Sequence, residues 1–275
     1  MTSDIADHYS RGDLLERLRA ALRDDGVDPD RPSIAALAPY DQFHPRGMEA
    51  TEAFAASLVV GVSDHLLDVG SGLGGPARYI AECFGCRVTG IDLTPEFCAV
   101  ARHLTRLIGL DARVAFEQGD ALAMPFADAS FDGAYSMDVS MNIADKDAFH
   151  REIHRVLRPG AWFVLVEIAR GPVGEPRFPT PWARTAASSF LATREETLRG
   201  LEAAGFSVLD ARDTLRETLE FGARLRAAVE RGEKPFQRTV QLVHGEFADL
   251  ATANTGRGLK DGAIVPIELR CRKRR

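Results

Sequence analysis

The chain has few cysteines, no long apolar run and no surplus of positive charge, and each shortage removes a class of protein. Of the four cysteines, Cys83 and Cys86 form a C-x-x-C pair. That pair spans a helix end and a strand start, and no second C-x-x-C or H-x-x-x-H follows, so the thiols read as ordinary reduced ones and no metal site is expected. No run reaches the roughly 18 apolar residues of a membrane span. The first residues carry no basic stretch leading into an apolar one, so a cytoplasmic protein is the default expectation. The net charge of −6 gives no basic footprint for nucleic acid. The basic run from Arg270 to Arg275 reads as a solvated end after a last strand. Internal repeats and low-complexity tracts are also lacking. A small-molecule partner is what remains, with no nucleic acid and no membrane. The oligomeric state is not fixed, a homodimer being one option.

What is present is an ordinary soluble composition, 45% hydrophobic and 27% charged. Short apolar runs alternate with amphipathic ones. Strands are expected at 66–69, 87–91, 113–117, 131–136, 162–167, 206–211 and 263–271. Helices are expected within 1–24, where Leu14, Leu18 and Leu22 share a stripe, and at 47–58, 76–84, 94–108, 146–157, 194–204, 215–231 and 235–253. This order predicts an α/β fold, a doubly wound parallel sheet covered on both faces. Three parts follow: an N-terminal helical cap over 1–60, a core over 61–170, and the rest of the core over 171–275. That last part carries a proline-rich loop and a helical insert at 215–258.

The most informative stretch runs from Leu66 to Gly75, Leu-Leu-Asp-Val-Gly-Ser-Gly-Leu-Gly-Gly. It is a buried strand ending in a glycine turn that opens a helix. Asp68 stands two residues before the first glycine. A turn built for a dinucleotide holds a pyrophosphate on backbone N–H groups, and a carboxylate there would repel it. The same carboxylate would attract a cation. S-adenosylmethionine carries an α-ammonium and a sulfonium and no phosphate. Gly70, Gly72 and Gly74 allow a close backbone approach. Gly70, Gly72 and Gly75 also satisfy G-x-G-x-x-G, so an NAD(P)-dependent oxidoreductase is the competing enzyme.

Two further acids follow at strand ends. Asp92, in Gly90-Ile-Asp92, can accept from both ribose hydroxyls of an adenosine. Thr94 and Pro95 come next and can start the following helix themselves. Asp120, in Gln118-Gly-Asp-Ala121, can accept from an adenine amine while the Ala121 and Leu122 backbone reads the ring edge. Only the phosphate-free nucleoside explains Asp68 and Asp120 together.

Asp68 to Gly74, Gly90 to Asp92, Gln118 to Ala121, Pro125-Phe126, Phe131-Asp132 and Arg155 to Gly160 together resemble class I S-adenosylmethionine-dependent methyltransferases of the small-molecule, type 11 kind. The likeness covers about residues 64–170. It implies a Rossmann-like sheet of seven strands with an antiparallel last strand. It also implies that Asp68, Gly70, Ser71, Gly72 and Gly74 hold the amino-acid tail, Asp92 with Leu93 the ribose, and Asp120 with Ala121 the adenine. Tyr40-Asp-Gln-Phe-His-Pro-Arg-Gly47 is similar to a D-Q-x-H-x-x-G segment of sarcosine and dimethylglycine methyltransferases. There the segment lies over the cofactor, which makes Gln42, His44 and Gly47 candidates. Met137 falls at the strand end that the subgroup uses beside the cofactor, where some members have a polar residue.

Methyl transfer is an in-line displacement that needs alignment and water exclusion more than acid–base chemistry. An amine or hydroxyl acceptor is expected, and where a proton must leave, His44, Asp138 and Glu167 are the candidate bases. Asn142, Phe178 and Trp182 are the candidate substrate contacts, with Phe190 beside them. A binding protein that keeps the fold without transfer is the remaining alternative.

Overall fold

Along β1 (His65–Val69), Leu66 points to one face and Leu67 and Val69 to the other, and all are fully buried. A strand apolar on both faces belongs in the middle of a covered parallel sheet. The computed structural model describes residues 8–10 and 12–275, and places β1 there. The expected helix over 1–24 lies partly outside the described residues; its described part is α1 (Leu14–Asp24), on the predicted stripe.

The remaining strands are β2 (Arg87–Asp92), β3 (Val114–Gln118), β4 (Phe131–Met137), β5 (Leu157–Arg170), β6 (Phe206–Asp213) and β7 (Ile264–Lys273). They form one sheet of order β3-β2-β1-β4-β5-β7-β6. β7 runs antiparallel to both neighbours, and the pairs among the first five strands are parallel. The order reverses between β1 and β4, so a crevice opens beyond their carboxyl ends.

Helices cover both faces. On one, Leu66, Val88 and Val164 pack with α3 (Gly47–Ala55), α4 (Gly75–Phe84) and α5 (Pro95–Leu107). On the other, Leu67, Phe163 and Leu165 pack with α6 (Lys146–Val156) and α7 (Arg194–Ala203). α4 has Pro76 in its first turn and ends at Gly85 in the left-handed region, φ 68°.

Several boundaries depart from the sequence pattern. α2 (Ile34–Asp41) has no counterpart in it, because Ile34-Ala-Ala-Leu-Ala-Pro39 is apolar throughout and gives no periodicity; Ser33 caps it by accepting from Ala36 N–H. β5 is longer than 162–167 because it is paired on both sides. The insert holds α8 (Leu215–Glu230), α9 (Thr239–His244) and α10 (Ala248–Asp261). One helix over 235–253 is broken by Gly245, φ 59° and ψ −118°. Leu14, Leu18, Leu22, Leu37, Phe97 and Val243 bury together, so the N-terminal cap, α5 and α9 share one apolar seam over the crevice.

Candidate active site

The glycine turn leaves β1 with four of its backbone donors already used. Gly70 and Ser71 N–H both donate to Ile91 O, at 2.8 and 3.0 Å. Gly72 N–H donates to the Asp92 carboxylate at 2.8 Å, and Gly74 N–H to Ser71 O at 2.9 Å. A phosphate-binding turn needs those groups free. What the turn offers instead is space. Gly72, at φ 52°, has nothing within 4 Å of where a Cβ would stand. Gly75 is glycine for another reason: a Cβ there would strike the Asp41 carbonyl and the Gln42 amide, so the cap segment lies directly on the helix start.

Asp68 lines the cavity beyond the turn and is buried, with one carboxylate oxygen lacking any partner among the described residues. Burial pushes its carboxyl up to about 8, and the Asp92 charge adds to the shift. A buried carboxylate without a partner calls for a cation. Asp92 accepts from Gly72 N–H and, through its other oxygen, from Thr94 N–H at 2.8 Å. Thr94 makes no side-chain cap. The expectation that Thr94 caps the helix unaided is therefore corrected: Asp92 takes that N–H and keeps one lone pair per oxygen for a ligand. Asp120 is fixed in the same way, by Leu122 N–H at 2.9 Å, with Ala121 beside it in the cavity wall. These groups fit S-adenosylmethionine: a cation acceptor, a ribose acceptor, an adenine acceptor and an open glycine.

The cavity is single and continuous, of 640 Å³, and passes from these acids to the cap, the proline-rich loop and the insert. It gathers Asp68, Gly70, Ser71, Gly72, Asp92, Leu93, Asp120, Ala121, Met137, Asp138, Asn142, His44 and Trp182 from the sequence-derived candidates. Gln42, Gly74, Glu167 and Phe178 do not line it. Gln42 is buried behind, where it accepts from Thr51 at 2.7 Å and meets His44 Nε2 at 3.2 Å. A Cβ on Gly74 would meet Phe116 and Arg78. Glu167 accepts from Ser140 and from Thr197, and Phe178 packs in a cluster with Trp182 and Leu259.

The three candidate bases are all engaged or closed off. His44 contacts Gln42, Thr51 and the Pro45 carbonyl, and burial pulls its imidazole down to about 4, so it is neutral. Asp138 has left-handed backbone, φ 56°, and both its carboxylate oxygens are shut off from solvent without a partner. Burial, then the Glu167 charge, raises its carboxyl well above the usual range. Burial pushes Glu167 up to about 7. Asn142 holds the roof together: it accepts from the Tyr9 hydroxyl at 2.8 Å and donates to Trp182 O at 2.6 Å and Ser188 O at 3.4 Å.

Sequence reasoning missed Tyr9, Phe43 and the insert walls, which carry no motif. It also missed Arg78, fully buried in α4, which donates to the Asp41 carboxylate at 2.8 Å and Leu73 O at 2.6 Å. A lone arginine inside Pro76-Ala-Arg-Tyr-Ile80 was its only signal.

Residues 67–165 match a family described as a methyltransferase domain, type 11. Methyltransferase GfsG of Streptomyces halstedii is 35% identical over 60% of this chain and 58% of its own length. Phosphoethanolamine N-methyltransferase 1 of Arabidopsis thaliana is 33% identical over 70% of this chain and 38% of its own. The aligned stretches thus span less than two thirds of these curated relatives. The solved structure of geranyl diphosphate C-methyltransferase from Streptomyces coelicolor A3(2), which holds S-adenosyl-L-homocysteine, shares the fold with a TM-score of 0.70 at 20% identity, over 99% of this chain and 97% of that one.

Proposed function

We propose that the chain, whose residues 67–165 match a methyltransferase-domain family, is a class I S-adenosylmethionine-dependent methyltransferase and methylates a small molecule whose nucleophile is an amine. The observation that carries the reading is the glycine turn. The N–H groups of Gly70, Ser71, Gly72 and Gly74 are spent internally, Gly72 is open, and a buried carboxylate with one oxygen unpartnered among the described residues stands at the turn's start.

S-adenosylmethionine, when bound, supplies a methyl group on a sulfonium sulfur that leaves as a thioether. The residues of the chain then have three tasks. Asp68, Asp92 and Asp120 fix the donor from three strand ends, which sets the direction of attack. Met137, Tyr9 and Phe43 line the adjoining space with apolar surface and keep water out. The acceptor is brought to about 3–3.5 Å of the transferred carbon. An amine reaching this space as the free base attacks without help, and sheds its proton after the new N–C bond has formed. That proton is lost to solvent, because both ring nitrogens of neutral His44 are already engaged. A hydroxyl would need a stronger free base than the cavity offers, which ranks it below the amine.

A carbon acceptor is the second reading. The walls beyond Met137 are apolar and present no free base, and the names of the similar proteins include both N- and C-methyltransferases. The test is binding followed by turnover. Calorimetry is expected to show S-adenosylhomocysteine binding and no NADH binding, and labelled methyl is expected to reach primary or secondary amines. NADH binding without S-adenosylhomocysteine binding refutes the cofactor reading. Label found only on carbon refutes the amine.

A further inference from the structure

α8 and α10 both face the cavity, and each does so through a glycine in mid-helix. α8 presents Thr218, Gly222 and Arg226, spaced by four; α10 presents Thr252, Gly256 and Lys260 with the same spacing. Interior glycine weakens a helix relative to alanine, so it needs a reason. Gly258, two residues after Gly256, has one: a Cβ there would stand 3.1 Å from Ile264 of β7. Gly256 has none of that kind. Nothing lies within 4 Å of its Cβ position, and its backbone is ordinary helix. At Gly222 the nearest atom is the mobile end of Arg226 at 3.4 Å. What both glycines provide is room in the cavity.

Apolar side chains line most of that room, with exposed Arg226, Thr252 and Lys260 at its rim. Leu219, Leu225 and Leu259 come from the two helices, and Ile168, Trp182 and Phe190 from β5 and the loop after it. A second observation points to an occupant. Thr218 lines the same space, is 8% exposed, and its hydroxyl has no partner among the described residues, not even the carbonyl one turn back. A buried hydroxyl left unpaired is costly and calls for a partner from a ligand.

We infer that the space between α8 and α10 seats an extended, mostly hydrocarbon body of the acceptor, bearing one hydrogen-bonding group, and that Gly222 and Gly256 determine how much of it fits. The inference rests on the methyltransferase reading for the role of its ligand, and on the cavity alone for the ligand's shape. The acceptor class is thereby a lipophilic molecule with its nucleophile at one end, and short polar metabolites are excluded.

The test uses the full chain saturated with S-adenosylhomocysteine. Calorimetry with butylamine, decylamine, 1-butanol and 1-decanol measures the gain from six added methylenes. Full burial brings roughly fourfold per methylene, so a gain of at least about 100-fold is expected in each series. Gly256→Leu should cut that gain below about tenfold and leave S-adenosylhomocysteine affinity within about twofold. Gly222→Leu should do the same from the other helix, which guards against a single misfolded variant. Gly256→Ala should keep the gain and raise Tm by about 2 °C or more. Thr218→Val, of the same shape, should keep it too. Chain-length independence in the unaltered protein, or a full gain in both leucine variants, overturns the seat. Absence of heat with S-adenosylhomocysteine overturns the methyltransferase reading separately, and a chain-length gain measured without it would still support the seat.

Discussion

The two halves of the cavity are built by opposite means. At the tips of β1, β2 and β3 the polar side chains are clamped by backbone N–H groups: Asp92 by Gly72 and Thr94, Asp120 by Leu122. Their positions follow from strand pairing, as Asp68 sits opposite Gly90 and Tyr135. Across the cavity the walls come from the N-terminal cap, the proline-rich loop and the insert. They hold one another by side chains, through Asn142, Trp182 and the apolar seam around Leu37 and Phe97. The first half is a fixed electrostatic template. The second is a fitted apolar cover, and its identity can change without disturbing the template.

The strongest way to break this contrast is to cut the fully buried ionic tie between the cap and the helix that follows the glycine turn. Arg78 in α4 and Asp41 at the end of α2 pair in full burial, and the Arg78 guanidinium also holds Leu73 O and Thr105. Removing one partner of a buried pair leaves an uncompensated charge and costs about 3–5 kcal/mol. Arg78→Ala should therefore lower Tm by roughly 6–15 °C for a chain of this size. It should also open the cap to limited proteolysis ahead of the sheet. An unchanged Tm would show that the cap is held by its apolar seam alone.

Asp92→Ala tests the template itself. It removes the acceptor for two backbone donors and, on the proposed reading, for the ribose, with hydrogen bonds to a charged group worth about 1.5–3 kcal/mol each. S-adenosylhomocysteine affinity should fall by about 10- to 100-fold while circular dichroism stays native. Unchanged affinity would remove the ribose role.

The contrast also explains what the sequence made legible. Asp68, Asp92 and Asp120 could be picked out as candidates because each lies within two residues of a strand end, beside a turn, so local pattern sets their place. The sheet was legible for the same reason. Arg78 was not, because its partner lies 37 residues away and only tertiary packing joins them. α2 was hidden by being apolar on every side. Gly256 carried no signal, since its meaning depends on empty space that no local pattern encodes. Glu167, sensible as a strand-end base, turned out to serve Ser140 and Thr197.

A gentler probe of the template is pH. Burial holds the Asp68 carboxyl up at about 8, so the free protein keeps a proton there at neutral pH. An ammonium ligand prefers the ionised form. Binding must then expel that proton, and the expulsion becomes harder as pH falls. Affinity for S-adenosylhomocysteine should thus drop by up to about tenfold per unit below pH 8 and level off above it. Asp68→Asn should bind more weakly and show no such slope. A slope of opposite sign, or one that survives in Asp68→Asn, would take the cation away from this residue.

The smallest effect is expected on the cover, at Asn142. Its amide joins its own segment to two others: Tyr9 from the N-terminal cap, and Trp182 and Ser188 from the loop after β5. Each such bond is worth about 1 kcal/mol, and the groups left behind are partly buried. Asn142→Ala should raise the acceptor KM by about tenfold and leave cofactor affinity within about threefold, because the template does not touch it. Asn142→Asp keeps the acceptor for Tyr9 and loses both donors, so it separates the two sides of the junction. If Asn142→Asp behaves like Asn142→Ala, the loop side holds the cover. If it behaves like the unaltered chain, Tyr9 does, and Tyr9→Phe should then reproduce the alanine variant with no further loss when the two are combined. A large loss of cofactor affinity in any of these variants would mean that the two halves are not independent, and the contrast drawn between them would fail.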